Sequence, residues 1–291
     1  MVSSSPSSST ATSTAALVTY AVTSNLACLL AATLLQKKAA RRPPFEYTQG
    51  ERSPAPQEEE SFHEYEHAVF QYQRIPEHEM KRRAYDFYTF LNMRRSVRFY
   101  SPEDVPMDVL LNCVRAAGTA PSGAHTQPWH FCIVKRDDLK HQIRLAVEKE
   151  EQLNYERRMN KVWAEKCHSL VAGLPKPWVK PYLTDAPHMI VMMKVSYDLD
   201  THGNRKEVYY PEQSCGIAAG LLITALHNAN LVTLTSTPMG AESAIRDILG
   251  RPKNEKVYLL LPIGFAAKDA TVPYRDENNL RKPIEKICSI H

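Results

Sequence analysis

The stretch from Val257 to Ile263 places the tightest constraint on the fold, because it is apolar throughout. A continuous apolar run of this length fits a strand that is covered on both faces. A second strongly apolar strand is predicted at 189–195, a short buried one at 131–134, and a further one at 232–236. The chain must therefore supply other elements on both sides of the strand at 257–263.

Helices are predicted where apolar residues recur at helical spacing. The first spans about 78–93, and the second follows a proline at 106 and ends with the glycine at 118. A long charged helix is expected at 138–164 and a short helix at 241–249. These helices are the elements that we expect to accompany the strands.

The predicted helix at 210–228 differs from the others because small residues leave its surface nearly flat. Another helix can approach such a surface closely. We therefore expect it either in the core or at a dimer interface. The small residues are Ser214, Gly216, Ala218, Ala219 and Gly220.

Three segments carry the signals of irregular structure. Residues 120–123 contain Pro-Ser-Gly and predict a turn. Residues 167–181 contain one glycine and three prolines, which is typical of a mobile loop or lid. The tail from residue 266 onward shows no regular pattern.

The first 75 residues differ in composition from the rest. Residues 1–14 are rich in Ser and Thr and are expected to be disordered. Residues 15–35 carry no charge and are long enough to cross a bilayer as one helix, with a cleaved signal peptide as the alternative. Basic residues follow this segment and none precede it, which predicts a single-pass membrane protein with its bulk in the cytoplasm. Residues 36–75 are predicted to be a flexible tether to one catalytic domain at 76–291.

Charge and cysteine content give no sign of a nucleic-acid partner or of a metal site. The net charge is only +4, so bulk electrostatics do not suggest a nucleic-acid partner. The six cysteines are scattered without a CxxC spacing or a His/Cys cluster, so no metal site is predicted. Reduced, buried thiols are the expected state, which fits a cytosolic domain.

A basic run follows the first predicted helix and suggests a phosphate-bearing cofactor. Arginine stays charged and matches phosphate oxygens with two parallel hydrogen bonds, so three guanidinium groups beside a hydroxyl suit a dianion. A solvated surface run is the alternative. The residues are Arg94, Arg95, Ser96, Val97 and Arg98.

Three segments in order, 94–98, 117–129 and 233–238, resemble the nitroreductase superfamily of FMN enzymes. The resemblance covers about 77–291. It implies an α+β fold, with a mixed sheet flanked by helices, assembled as an intertwined homodimer with two sites at its interface. It also implies FMN as cofactor and NADPH as electron source, used directly or through a separate flavin reductase.

The resemblance assigns the whole run 94–98 to the cofactor. Arg94, Ser96 and Arg281 would bind the FMN phosphate, while Arg95 and Arg98 would extend toward the ribityl chain and the pyrimidine edge. A cation near that edge stabilises the reduced flavin. In an intertwined dimer the tail would carry Arg281 to the flavin of the partner subunit.

The other predicted cofactor contacts are hydroxyl groups. Ser122 would lie at the cofactor, in a turn where Gly123 allows close backbone approach. Thr235, Ser236 and Thr237 would lie beside the flavin. The Thr237 hydroxyl would donate a hydrogen bond to flavin N5, which makes single-electron steps accessible.

A narrower resemblance, to the iodotyrosine deiodinases of this superfamily, rests on the predicted anchor and on Glu151, Tyr155 and Lys180. By that resemblance Glu151 takes the ammonium group of a halogenated tyrosine, Lys180 takes its carboxylate, and Tyr155 adds a hydrogen bond. The backbone of Ala124 would contact the substrate phenolate. We call Glu151, Tyr155 and Lys180 the clamp. Desolvating a zwitterion is costly unless both charges are paired, and the clamp supplies both signs.

The function implied is reductive dehalogenation of mono- and diiodotyrosine to tyrosine and iodide, with Thr237 and Ala124 at the reacting groups. Two alternatives stay open. The first is a broad-specificity FMN nitro- or quinone reductase, which would not need the clamp. The second is a membrane-tethered protein that binds flavin or halotyrosine without catalysis. Taken alone, Glu151 and Lys180 are also typical of a solvated surface.

Overall fold

The computed structural model describes residues 67–170, 174, 176–275 and 281–291. The chain divides into two units, Met1–Tyr72 and Gln73–His291. The predicted N-terminal segment (1–14), the predicted anchor (15–35) and all but the last residues of the predicted tether (36–75) lie outside the described residues. Within the described ranges there is no helix with the length and apolarity needed to span a membrane.

The second unit packs helices against an antiparallel sheet, as is typical of an α+β fold. Its elements in chain order are α1 Glu77–Met93, α2 Met107–Gly118, a 3-10 turn Gly123–His125, β1 Trp129–Val134, α3 Asp137–Leu153, a π-helical turn Asn154–Arg158, α4 Lys161–Leu170, α5 Tyr182–Asp185, β2 His188–Val195, β3 Tyr197–Leu199, β4 Arg205–Glu207, α6 Pro211–Asn228, β5 Val232–Thr233, α7 Glu242–Ile248, β6 Glu255–Gly264 and a 3-10 turn Ile284–Lys286. The predicted helices that became α1, α2, α6 and α7, and the strands that became β2 and β6, are confirmed within one or two residues.

A four-stranded sheet with the order β1-β2-β6-β5 forms the centre of this unit. All of its ladders are antiparallel, and among the described residues the one parallel pairing is the bridge between Ser96 and Thr233. The predicted mixed sheet is therefore wrong for the strands themselves, because the segment at 94–98 makes a single bridge and no ladder. The predicted burial of 131–134 is also wrong for most of β1, since β1 is an edge strand and only Val134 is fully buried.

Both faces of the sheet are covered, as the apolar run of β6 requires. Side chains alternate across β2, so that odd-numbered residues enter one core and even-numbered residues enter the other. Met189, Val191 and Met193 pack with Ile143 of α3 and Ile245 of α7. On the opposite face Ile190 and Met192 pack with Leu110 of α2 and Leu222 of α6.

The predicted helix at 138–164 is broken, and the break places part of the site. α3 ends at Leu153, a π-helical turn follows, and Met159 adopts extended dihedral angles. α4 then restarts because the side chain of Asn160 accepts a hydrogen bond from the amide of Trp163 at 2.8 Å. The helix period alone does not reveal such a break.

Two further predictions need correction, and one element was missed. α4 extends to Leu170, so the segment at 167–181 is not loop throughout. The strand predicted at 232–236 is reduced to β5, with one additional bridge between Ser236 and Leu260. The β3–β4 hairpin was not predicted, although the side chain of Asp200 accepts hydrogen bonds from the backbone of its turn, a common turn signal.

Candidate active site

Residues 94–98 leave α1 as an extended segment that lies beside β5. Ser96 forms a parallel bridge with Thr233, and the amide of Val97 donates to the carbonyl of Thr233 at 3.3 Å. The Val97 side chain is buried in the protein. Val97 thus anchors the segment, while Arg94 and Ser96 face a cavity.

Four arginines, Arg94, Arg95, Arg275 and Arg281, form a cluster at this position. Burial lowers the pKa of Arg94, and the positive charges of Arg281, Arg275 and Arg95 lower it further. Burial, Arg275 and Arg281 lower the pKa of Arg95 in the same way. None of the ion pairs found within the described ranges involves these arginines. A phosphate dianion would offset their mutual repulsion.

Two of these arginines are held by main-chain carbonyl groups. Arg275 donates to the carbonyl of Asn92 at 2.6 Å and to that of Arg94 at 3.2 Å. Arg95 donates to the carbonyl of Pro273. The segment around Arg275 is therefore tied to the end of α1. Arg281 lies near Arg94 of its own chain, whereas the sequence suggested a reach to the partner subunit.

Two cavities share Arg94, Thr233 and Ile223 along this cluster. The larger has a volume of about 310 Å³ and is also lined by Ser96 and by Thr235. The smaller has a volume of about 170 Å³. Cations, hydroxyl groups and an apolar wall thus meet in one groove, which is the combination that a phosphorylated amphiphilic ligand requires.

Arg98 carries a buried Nε atom without a hydrogen-bond partner among the described residues. A buried donor of this kind costs free energy unless a ligand or water satisfies it. Ser236 is hydrogen-bonded to Tyr182, and burial raises the pKa of Tyr182 to about 12. Because Ser236 is engaged in this way, Thr235 and Thr237 are the two exposed hydroxyl residues of the segment.

The three residues of the clamp lie together. Glu151 is 9% exposed and Lys180 is 5% exposed. Their Oε2 and Nζ atoms form an ion pair at 3.1 Å. The ammonium group of Lys180 lies 5.7 Å from the centre of the Tyr155 ring. Buried opposite charges beside an aromatic ring can recognise the two ends of an amino-acid zwitterion.

Neighbouring groups fix the position of the clamp. The amide of Lys180 donates to Glu148 at 2.7 Å, and its Nζ atom donates to the carbonyl of Pro177 at 2.7 Å. The ring of Trp178 lies 6.3 Å from that of Tyr155. Burial raises the pKa of Tyr155, with further contributions from Cys167 and Glu151, so its hydroxyl stays protonated.

The loop at 122–127 has a strained backbone. Ala124 and Gln127 have φ values of 47° and 46°, in the left-handed region that non-glycine residues rarely adopt. The Ser122 hydroxyl accepts a hydrogen bond from the amide of Gln127 at 2.9 Å. A Cβ atom on Gly123 would lie 2.8 Å from the carbonyl oxygen of Tyr209, so the loop passes close to that backbone.

The structure separates this loop from the arginine groove within one chain. Ala124 lines a cavity of about 550 Å³ that shares no lining residue with the two cavities beside Arg94. The amide of Gly123 donates to Ser214 near the start of α6, whereas the groove at Arg94 is bordered by Thr224. Ten residues of helix span about 15 Å. Ser122 and Ala124 therefore do not join the other predicted site residues in one pocket.

Sequence reasoning missed three residues that border the site: Arg275, Trp178 and Asn154. A second arginine in the same tail as Arg281 was a usable signal for Arg275. Trp178 stands two positions before Lys180, but tryptophan is more often a packing residue. Asn154 gave no signal, because its role depends on the π-helical turn. Across the residues that the structure describes, no group of His, Cys, Asp or Glu side chains could hold a metal ion.

Comparison with known proteins identifies the family of this chain. The profile of the Nitroreductase family matches residues 91–265. Iodotyrosine deiodinase 1 of Mus musculus is 49% identical over 208 residues, which cover 72% of this chain and 72% of that protein. Iodotyrosine deiodinase of Hydra vulgaris is 46% identical over 214 residues, which cover 74% of this chain and 76% of that protein.

A solved structure is also similar to this chain. The crystal structure of an oxidised iodotyrosine deiodinase bound to FMN and 3-iodo-L-tyrosine superposes with a TM-score of 0.55 at 26% identity. The match covers 68% of this chain and 98% of that one. The family profile covers more than half of this chain, and the relatives at 46–49% identity are aligned over more than two thirds of their own length. The chain therefore belongs to the nitroreductase family and, within it, to the iodotyrosine deiodinases.

Proposed function

We propose that the protein is an FMN-dependent reductive dehalogenase that converts mono- and diiodotyrosine into tyrosine and iodide. In this reaction the bond from a ring carbon to iodine is replaced by a bond to hydrogen. Two electrons and one proton enter, and iodide leaves. FMN, when bound, supplies the electrons.

The observation that carries the proposal is the buried pair of Glu151 and Lys180. A neutral nitroaromatic or quinone has no use for two buried opposite charges. The substrate ammonium group would pair with Glu151 and its carboxylate with Lys180, so each buried charge exchanges one partner for another of the same sign. Tyr155 stays protonated and would add a hydrogen bond.

The arginine groove fits FMN. Arg94, Ser96 and Arg281, together with Arg275, would hold the phosphate, because clustered guanidinium groups match a dianion. The unpartnered Nε atom of Arg98 needs an acceptor, and an oxygen atom of the cofactor would provide one.

The remaining cofactor and substrate contacts follow from the predictions made for these residues. Arg95 would lie toward the ribityl chain. Thr235 and Thr237 are exposed, and the hydroxyl of Thr237 would donate to flavin N5. Ser122 would contact the cofactor, and the amide of Ala124 would stabilise the phenolate of the substrate.

We propose that the protein works as a homodimer in which one subunit supplies Ser122 and Ala124 to the arginine groove of the other. Two helix surfaces support this. α1 is amphipathic in sequence, yet none of its residues is buried, and Tyr88 is 63% exposed. α6 exposes Ile217 and Leu221 beside Gly216 and Gly220. A second copy would cover these apolar surfaces.

The remaining parts of the proposal concern the electron source and the location of the protein in the cell. NADPH would supply the electrons, directly or through a separate flavin reductase. Residues 15–35 would anchor the protein in a membrane, and the basic residues after them would keep the catalytic domain in the cytoplasm.

An anaerobic single-turnover experiment tests the proposed reaction. The flavin of the full-length protein, purified in detergent, is reduced with dithionite, the excess reductant is removed, and diiodotyrosine is added. We expect stoichiometric oxidation of the flavin with release of iodide and monoiodotyrosine. Flavin that stays reduced with iodotyrosine but is oxidised at once by a nitroaromatic would instead identify a general reductase. Flavin that both compounds leave reduced would identify a binding protein without catalysis.

Complementation between subunits tests the shared site. Lys180→Ala removes one end of the clamp, and Gly123→Ala moves the loop that carries Ala124. Coexpressed chains with one substitution each would form heterodimers that contain one intact site, so part of the activity would return. Two inactive variants that stay inactive when coexpressed as a mixed dimer would exclude the shared site.

A further inference from the structure

Asn154 is a buried amide at the point where α3 gives way to the π-helical turn. Only 1% of its surface is exposed. A buried polar side chain costs free energy unless its donors and acceptors are satisfied. Single π-helical turns within α-helices also occur frequently at functional sites. The hydrogen-bond partners of Asn154 therefore indicate what this residue does.

The side chain of Asn154 connects three groups. Its Nδ2 atom donates to the carbonyl of Met239 at 2.9 Å and to Oε1 of Glu151 at 3.4 Å. Its Oδ1 atom accepts a hydrogen bond from Arg158 at 3.1 Å. Because Arg158 can only donate, the oxygen of the amide must face Arg158 and the NH₂ group must face Glu151 and Met239.

The two oxygen atoms of the Glu151 carboxylate have different partners. Oε1 faces Asn154, and Oε2 pairs with Lys180 at 3.1 Å. One oxygen thus fixes the orientation of the carboxylate, and the other is directed at a cation. A carboxylate that is held at one oxygen loses less rotational freedom when it binds an ammonium group.

The Met239 contact leads to the segment that carries Thr237. The amide of Met239 donates to the carbonyl of Thr237 at 2.9 Å. The next residue, Gly240, lies so close to the end of α3 that a Cβ atom on it would be 2.6 Å from the carboxylate of Glu150. The turn at 237–240 is therefore packed directly against the helix end that presents Glu151.

Building on the proposed function, we infer that Asn154 is a positioning residue that couples amino-acid recognition to the flavin. It holds the ammonium-binding carboxylate of Glu151 in a fixed relation to the turn that bears Thr237. Asn154 itself acts through Glu151 and Met239. A halotyrosine bound by its ammonium group is thereby placed relative to the segment that contacts flavin N5.

Two substitutions test this role with different chemistry. Asn154→Asp keeps the size of the side chain but turns a carboxylate oxygen toward Glu151 and the Met239 carbonyl. Asn154→Ser removes the long donor without adding a charge. Glu156→Gln is the matched control, because Glu156 belongs to the same π-helical turn and is exposed.

The decisive measurement compares two ligands on the oxidised holoenzyme by calorimetry. 3-Iodotyrosine has the zwitterion, whereas 2-iodophenol has the same ring without it. We expect Asn154→Asp to weaken 3-iodotyrosine binding about tenfold, since a hydrogen bond to a charged group is involved. Binding of 2-iodophenol, FMN content and the behaviour of Glu156→Gln should stay unchanged. In a Glu151→Gln background, Asn154→Asp should add less than about a twofold loss, because both changes act on the same carboxylate.

Equal losses for both ligands, or losses that multiply in the double variant, would overturn the inference. Loss of FMN or of cooperative unfolding in both Asn154 variants would also overturn it, because Asn154 would then serve the fold. A different result would contradict the proposed function: the wild-type holoenzyme would bind 3-iodotyrosine but release no iodide after reduction. The calorimetric comparison does not depend on turnover and still decides the role of Asn154.

Discussion

The clamp region and the arginine cluster treat charge in opposite ways. Around the clamp, charged side chains are paired with opposite partners in the same chain. These pairs are Arg144 with Glu148, Arg158 with Glu150, and Lys180 with Glu151. In the cluster, burial and the neighbouring guanidinium groups lower the pKa of Arg94 and of Arg95, and the four arginines form no ion pair among the described residues.

This difference indicates what each region gains from its ligand. The clamp pairs are already satisfied, so a zwitterion exchanges partners at nearly constant net charge, and recognition depends on geometry. The cluster has no ion pair within the described part of the chain, and the mutual repulsion of its arginines destabilises the folded chain until an anion binds. Cofactor binding should therefore stabilise the protein more than substrate binding does.

The largest effect is expected for Glu151→Gln, which leaves Lys180 as a buried charge without its partner. Unfolding free energy should fall by about 3 kcal/mol, as is typical when one member of a buried pair is removed. The value of kcat/KM for iodotyrosine should fall about a hundredfold, because the ammonium group loses its counter-charge. Urea unfolding and steady-state kinetics check both. Glu156→Gln, at an exposed position, is the control. If Glu151→Gln loses no more stability than this control does, Glu151 does not compensate the buried charge of Lys180.

An intermediate effect with opposite signs is expected for Arg94→Ala. FMN affinity should fall by roughly 1.5–3 kcal/mol, because one charge-assisted phosphate contact is lost. The apoprotein, in contrast, should unfold at a higher urea concentration than the wild-type apoprotein, because one repelling charge has been removed.

Arg157→Ala, at an exposed arginine of the π-helical turn, is the matched control for Arg94→Ala and should change neither quantity. Fluorescence titration with FMN and urea unfolding after removal of FMN measure the two effects. A less stable Arg94→Ala apoprotein would mean that the packing of Arg94 outweighs its repulsion by the neighbouring arginines.

The smallest effect concerns sodium chloride. Raising its concentration from about 0.05 to 0.5 M should stabilise the apoprotein by less than about 1 kcal/mol, because salt screens the repulsion among the partly exposed arginines of the cluster. Salt should stabilise the Arg94→Ala apoprotein less than the wild type. Glu151→Gln should respond to salt as the wild type does, because the ion pair that it removes is buried and is little screened in the wild type. Equal salt responses in all three proteins would remove the distinction between the two regions.

Local patterns predicted most of the secondary structure but not its interruptions. The patterns of α1, α2 and β6 are evident in their own residues, because apolar residues recur at helical spacing in the two helices and run without interruption through β6. The break at 154–160 is not, because it depends on the Asn160 cap and on contacts of Asn154 with Met239, eighty-five positions away. The pairing of strands was equally out of reach, since an antiparallel ladder and a parallel bridge use the same kind of residues.

For the candidate site, too, the sequence predicted the residue types but not their contacts. The residue types of the clamp indicated both signs of charge, and the run at 94–98 indicated an anion, because these properties belong to single side chains. Which charges neutralise one another depends on distances between remote segments. Only the folded chain pairs Lys180 with Glu151, brings Arg275 to Arg94, and keeps Ala124 away from that groove.

The sequence by itself determined the chemical inventory of this protein: the apolar strands that form a core, the guanidinium groups for a phosphate, and the acid and base for a zwitterion. The tertiary structure decided the arrangement. Among the described residues it left the arginines without ion pairs and the clamp paired, and it used Asn154 to link the clamp to the turn that bears Thr237. The physical reason is that periodicity and charge are local properties, whereas electrostatic compensation and hydrogen bonding act through distances that only packing sets.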